Sequence, residues 1–455
     1  MISSPDAPQR VLMATCLSYV VVILDTSIVN VALEPIAMAL HADISGLQWV
    51  VNAYTLTFAS LLLSGGMLGD RLGAKNVYLG GLLLFGMASA LCAMATHLPM
   101  LITARALQGA GAAMLVPSSL SLINRAFPVA HQRAKAIALW AGCGGIAMAA
   151  GPLLGGVLIA AAGWRSLFWV NVPVVSLGIG LALRIVVRQE VIRKKPRDWV
   201  GQGLAIVALG STVGVLIEGA RLGWDNNVIR LGVLMAVIAW LLFIAVERRR
   251  SQPMLPMDLF RSPVFSASVF ISLVSGWVFY GLFFLLSLYF QQTRGWSPLE
   301  TGLGFLPLTA LVALGSFMSG RLSHIVRPLW LVSGCCVLYA VGFGGLLVLA
   351  NGPAYWRIAL CFPAVGLAAG VMTPVATAVM MSHTDPARSG IAAGVLNASR
   401  QTGSALGVAV FGGLLAAVQP QAEGIRLAVC VAITLSLAAG IFWGLALRQQ
   451  NHGLG

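Results

Sequence analysis

Fourteen apolar runs of about 20 residues each, separated by short charged loops, constrain this chain more than any other feature. A run of that length, wound as a helix, crosses the roughly 30 Å hydrocarbon core of a bilayer. Within lipid no water is present to satisfy peptide groups, so each run must close its hydrogen bonds internally as a helix. The runs fall near residues 11–32, 48–68, 77–96, 99–122, 136–160 and 166–187, then 200–219 and 229–246, then 264–290, 299–320, 329–350, 356–380, 390–417 and 425–446. Only 9% of residues are charged, against the roughly 25% of a soluble chain, which excludes an ordinary soluble enzyme. The expected fold is an all-α polytopic membrane protein: a six-helix bundle over 1–187, cytoplasmic linkers and two additional helices over 188–262, and a second six-helix bundle over 263–455.

The charge balance, 28 Lys+Arg against 14 Asp+Glu, raises the question of nucleic acid, and the distribution answers it. With the N-terminus inside, the loops on the cytoplasmic side collect 21 basic residues, Arg400 counted among them, and the opposite side six. By the positive-inside rule this puts both termini in the cytoplasm, with an even number of crossings, and makes the basic excess topogenic. Arg105 is left inside a span. The four lysines, at 75, 135, 194 and 195, never follow a glycine, so no phosphate-binding loop of the G-x-x-x-x-G-K-[ST] type exists and ATP hydrolysis is unsupported. No enzyme chemistry suggests itself. The seven cysteines lie in or beside apolar runs without metal-ligand spacing, so no metal site is expected. The first run follows Arg10 without a small-residue cleavage site, which reads as a retained span.

Most acids lie at run ends or in loops; Asp25 is placed most deeply. An ionised Asp at a helix centre costs roughly 2.5–3.5 kcal/mol on insertion scales, so burial disfavours its charged form and makes Asp25 the candidate proton or cation site. A fixed acid that orients the first helix is the plainer alternative. Arg105 opens the stretch Arg105-Ala-Leu-Gln108-Gly109-Ala-Gly111 and cannot shed its charge, so it needs carbonyls, Gln side chains or an acid. It either biases a nearby protonation or braces helices. Gly66 to Lys75, with Asp70, Arg71 and Gly73, forms a short cytoplasmic turn suited to act as a conformational latch, its Asp accepting from a helix N-terminus or an Arg. Gly151-Pro152-Leu-Leu-Gly155-Gly156 combines a helix-kinking proline with glycines that let backbones approach closely. Asn30, Tyr54, Gln108, Trp140 and Tyr280 are candidates to line a substrate cavity, their aromatics being equally suited to bundle core or interfacial belt.

These motifs carry a family resemblance. Gly66 to Lys75 resembles the loop 2–3 signature of the major facilitator superfamily, with Ala74 where a basic residue is usual. Leu24 to Leu33 is similar to the span-one motif of that superfamily's fourteen-span drug:proton antiporters, and Arg105 to Gly111 resembles their span-four Arg motif. Gly151 to Gly156 resembles the antiporter motif of span five, and Gly163 to Pro173 the outer loop 5–6 hallmark. Gly390, Gly394, Asn397, Arg400, Gln401, Gly403 and Gly407 echo the span-thirteen pattern. A faded copy of the loop 2–3 pattern at Gly320 to Arg327 puts His324 where an acid is expected, as a solvated loop residue.

The resemblance implies a major facilitator fold in the bacterial cytoplasmic (inner) membrane and proton-driven efflux of bulky hydrophobic or cationic small molecules by alternating access. Asp25 and Arg105 would couple to the proton, and no cofactor beyond the proton gradient would be needed. Expected partners are the small-molecule substrate and the lipid bilayer; a periplasmic adaptor and outer-membrane channel stay open. The rival readings are a proton-coupled transporter of one metabolite, siderophore or self-made antibiotic, a transporter-like sensor without turnover, and a channel.

Overall fold

The structure, a computed structural model, describes residues 7–185, 198–250, 253–347, 354–385, 388–418 and 420–452. The basic linker residues Arg188, Arg193, Lys194, Lys195 and Arg197 lie outside the described residues. Among the described residues there is no strand, and thirteen helices are long and apolar enough to cross a membrane. The chain divides into two compact units, one of Met1–Asp198 with Gln291–Leu303, the other of Trp199–Phe290 with Gly304–Gly455.

In the first unit α1 (Ala7–Ile28) continues through a 3-10 turn, Val29–Ala32, into α2 (Leu33–Leu40), so the first span reaches past its expected end at 32. The Asn30 side-chain amide donates to the carbonyls of Thr26 (3.2 Å) and Ser27 (3.3 Å), a competition with the helix ladder that suits the tighter turn. Then come α3 (Ile44–Leu72), α4 (Ala74–Ala93), α5 (Leu98–Ala126) and α6 (Ala130–Ala162). The sixth run is broken into α7 (Ser166–Trp169) and α8 (Asn171–Leu183), with Pro173 in the first turn of the second piece, where its missing N–H costs nothing.

Helix starts are capped from the sequence. Asp43 accepts from Gly46 N–H (2.7 Å) ahead of α3, and His97 Nδ1 from Met100 N–H (3.2 Å) ahead of α5. Between α3 and α4 the chain turns on Gly73 alone, at φ 87°, a conformation in which any side chain would be strained. Glycine also sets how closely helices meet. A Cβ on Gly65 would sit 2.1 Å from the Ala113 carbonyl oxygen and one on Gly109 2.3 Å from that of Tyr54, so α3 and α5 pack backbone to backbone.

The second unit holds α9 (Trp199–Leu222), α10 (Asn227–Arg249), α11 (Pro263–Leu288), most of α12 (Pro298–Ile325), α13 (Pro328–Leu346), α14 (Tyr355–Ala359), α15 (Phe362–Ser382), α16 (Ser389–Ala417) and α17 (Gln421–His452). The additional pair, α9 and α10, therefore packs with this unit, Gly413 of α16 meeting Leu216 and Ala220 of α9. The twelfth run is broken before Pro363 in the same way as the sixth is before Pro173. Helix α16, the thirteenth expected run, is 29 residues long but is not among the thirteen apolar helices. Arg400 is its twelfth residue, about 17 Å along the helix at 1.5 Å per residue, so its place among the cytoplasmic loop charges is corrected: it lies within the helix. His324 is exposed, as expected, but lies in the last turn of α12 rather than in a loop.

Candidate functional site

The second turn of α5 and the end of α1 bring together the two charges that stood inside apolar runs. Asp25 and Arg105 are 0% and 1% exposed and form an ion pair through Arg105 Nη1 and Asp25 Oδ2. The same Nη1 donates to Gln108 Oε1 at 2.7 Å, the two side chains sharing a face of α5 three residues apart, and Arg105 Nε donates to the Val50 carbonyl of α3 at 3.2 Å. The carboxylate's other oxygen accepts from Gln108 Nε2 (2.8 Å) and Asn171 Nδ2 (3.1 Å), the latter from the start of α8. Ser89 of α4 closes the network: its hydroxyl accepts from Gln108 Nε2 (2.9 Å) and Asn171 Nδ2 (3.4 Å) and donates to the Phe85 carbonyl (2.8 Å). The Tyr54 ring lies 4.4 Å from the guanidinium carbon, a cation–π contact, and its hydroxyl donates to the Val22 carbonyl.

Five helices thus converge on one carboxylate and one guanidinium, each charge compensated by the other and each oxygen hydrogen-bonded. That is the condition under which a buried pair is tolerated; removing one member leaves the other unpaired at a cost of about 3–5 kcal/mol.

The five cavity candidates make the following contacts. Tyr54 and Gln108 belong to the charged cluster, Asn30 spends its amide on its own helix, and Trp140 of α6 stacks on Tyr19 of α1 with ring centroids 3.8 Å apart. Tyr280, in the second unit, is buried edge-on against Phe279.

In the Gly66 to Lys75 turn it is Lys75, rather than Asp70, that makes the contacts. Its Nζ donates to the carbonyls of Leu183 (3.2 Å) and Ile185 (2.5 Å), so a cation caps the C-terminal end of α8. Asp70, in the last turn of α3, is exposed and accepts no hydrogen bond among the described residues. Along α6, Gly151 and Gly155 face Ser27, Ile28 and Val31 of α1, while Gly156 lies against Pro298 and Leu299, and Gly302 against the Pro152 carbonyl. A Cβ at Gly151 would meet Ser27 Oγ at 1.9 Å, and one at Gly302 the Pro152 oxygen at 2.3 Å. The helix runs unbroken through Pro152, and its glycines let it press on two neighbours within the first unit.

Comparison with known proteins places this geometry. The family model for the Major Facilitator Superfamily matches residues 15–408. The chain belongs to the major facilitator superfamily. It is 37% identical over 447 residues to the methylenomycin A resistance protein of Bacillus subtilis (strain 168), covering 97% of this chain and 95% of that relative. It is 36% identical over 413 residues to the multidrug resistance protein Stp of Mycobacterium tuberculosis (89% and 75% covered), and 32% identical over 414 residues to the tetracenomycin C resistance and export protein of Streptomyces glaucescens (90% and 76% covered). Among solved structures, a D-xylose–proton symporter superposes with a TM-score of 0.69 at 13% identity, covering 96% and 97% of the two chains. A bacterial homolog of the human lysosomal transporter Spinster superposes with 0.68 at 17%, covering 98% of each. The fold is that of a major facilitator, and the chain is a multi-pass membrane transporter.

Within this major facilitator chain the sequence foresaw Asp25 and Arg105 and the three classes of partner Arg105 would need, all of which are present: an acid, a Gln and a carbonyl. It missed Ser89, and it read Asn171 only as part of the outer-loop motif. Both are neutral polar residues of the kind that bury singly in membrane helices; the available signal was a buried charge whose hydrogen bonds had to end somewhere.

Proposed function

We propose that this major facilitator is a drug:proton antiporter of the fourteen-span type, exporting bulky drug-like molecules across the bacterial cytoplasmic membrane with both termini inside. The observation that carries the reading is the Asp25–Arg105 pair, the one ion pair among the described residues with both members buried, which a single proton would unbalance. Protonation of Asp25 removes the acceptor charge from Arg105, which then favours whichever conformation offers the guanidinium another partner. Loss of the proton restores the pair. A proton gradient therefore acts on the balance between two conformations, and substrate exposure alternates between the two sides of the membrane.

The names of the relatives, a multidrug resistance protein and two resistance proteins directed at single antibiotics, support export. The latter two favour a second reading, export of one self-made or environmental antibiotic. Helix α16, long but less apolar than the others, supports the fourteenth span. The turn around Gly73, with Lys75 on the end of α8, would act as the latch, and the packing of Gly151 to Gly156 would hold one state. The proton gradient supplies the free energy without a bound cofactor. A periplasmic adaptor and outer-membrane channel would extend the route where the cell has a second membrane.

The test is efflux of an ethidium-like dye from cells making the protein. Export that collapses on adding a protonophore, and is lost in Asp25→Asn while the protein still inserts, supports the reading. Undiminished export by Asp25→Asn removes the carboxylate from the mechanism.

A further inference from the structure

One arginine deep within a helix of the second unit forms no ion pair among the described residues. Arg400 sits within α16, about 17 Å along the helix, and is half-buried. Its Nη2 donates to the neutral Asn397 Oδ1 at 3.0 Å, its Nε is buried with no partner, and no carboxylate among the described residues forms an ion pair with it. This is the opposite of Arg105, whose guanidinium is matched to an acid. A guanidinium cannot lose its proton to escape burial, so an unmatched one inside a span marks a place where water or an anion arrives.

The surroundings point to an anion. The next turn of α16 carries Gln401 and Ser404, both about nine-tenths or more buried, with Gln401 Oε1 and Ser404 Oγ unpartnered. On α11 the indole N–H of Trp277 is also buried without a partner. The two helices touch at this level: a Cβ on Gly276 would lie 2.2 Å from the Arg400 carbonyl, and one on Gly407 2.1 Å from that of Trp277. One stretch of the α11 and α16 pair thus offers a planar cationic fork, a hydroxyl and an indole N–H, while its one unpartnered obligate acceptor is an amide oxygen. Arginine's fork matches a carboxylate in a way a point charge does not. The polar character that keeps α16 out of the thirteen apolar helices is concentrated in this stretch.

We propose that Arg400 is the anchor for an anionic group, a carboxylate, on the transported molecule, so that the substrates include organic acids with a bulky apolar body. The inference rests on the export reading above and names the charge of its substrate.

The test uses the full-length protein in liposomes under an imposed pH gradient with three probes: a fluorescent coumarin-3-carboxylate, its primary amide, and ethidium. The wild type half-saturates at a roughly ten- to hundredfold lower concentration of the carboxylate than of the amide, as loss of a charged hydrogen-bond partner implies. Arg400→Gln abolishes that preference, and Arg400→Lys, which keeps the charge, retains part of it. A wild type that drives ethidium but treats acid and amide alike overturns the assignment while leaving the export reading intact. An Arg400→Gln protein that keeps the acid preference also overturns it. Wild type that moves none of the three probes contradicts the export reading, and the assignment falls with it.

Discussion

The Asp25–Arg105 pair can be weighed by a double-mutant cycle. In Asp25→Asn the guanidinium of Arg105 keeps its bonds to Gln108 and Val50 but loses its acid partner, and in Arg105→Gln the carboxylate keeps Gln108 and Asn171 but loses its cationic partner. Each single change leaves an unpaired buried charge and should cost about 3–5 kcal/mol of stability. The double variant contains no charge at this place. What it lacks is a few neutral hydrogen bonds at about 1 kcal/mol each, so its cost should be smaller than that of either single change. The coupling, the gap between the double variant and the sum of the singles, then exceeds about 3 kcal/mol, at or beyond the usual upper end for contacting residues. Denaturation of the purified full chain in mixed micelles, followed by loss of tryptophan fluorescence, reads all four proteins. Additive costs, with the double variant worse than either single one, would refute the claim that the two groups compensate each other.

Two further outcomes follow from particular contacts. Gly65→Leu should abolish folded protein, because its Cβ would sit 2.1 Å from the Ala113 carbonyl with no flexible neighbour to yield, whereas Gly142→Ala, with nothing within 4 Å, should express as wild type; yield of monodisperse protein in detergent distinguishes them. Asp258, in the short turn before α11, is held below the usual carboxylate range chiefly by the hydrogen bond from the Arg388 guanidinium and its positive charge. A carboxylate so lowered adds stability at pH values above its ordinary pKa and loses it as pH falls through that value toward its lowered one. The melting temperatures of wild type and Asp258→Asn should therefore differ slightly at pH 7 and converge at acid pH; a difference that grows on acidification contradicts the assignment.

Much of the fold could be read directly because lipid admits few choices: an apolar run of about 20 residues between basic loops must be a helix. Breaks inside runs were harder to see. Pro173 and Pro363 stand where a second helix begins, a position in which proline is harmless, so neither run loses apolar character there. The first span continues to Leu40, past its expected end at 32, with the Asn30 amide donating to carbonyls of its own helix. At the site, charge was legible and neutrality was not. Asp25 and Arg105 announce themselves by the cost of burying them, and that cost implies they meet. Ser89 and Asn171 carry no such cost, and only the packing of α4 and α8 shows that they complete the carboxylate's shell. Arg400 was misplaced because it follows a basic loop by a dozen residues, and its position inside α16 emerges only from the helix itself.

The most direct measurement is the ionisation of Asp25 itself during transport. Infrared difference spectra of the protein in lipid, recorded as substrate is added and removed over a pH series, should show a carboxylic-acid band that appears when substrate leaves, disappears when it binds, and is absent from Asp25→Asn. A carboxylate that stays ionised through every step while proton-driven export continues would contradict the role of the Asp25–Arg105 pair as the proton switch.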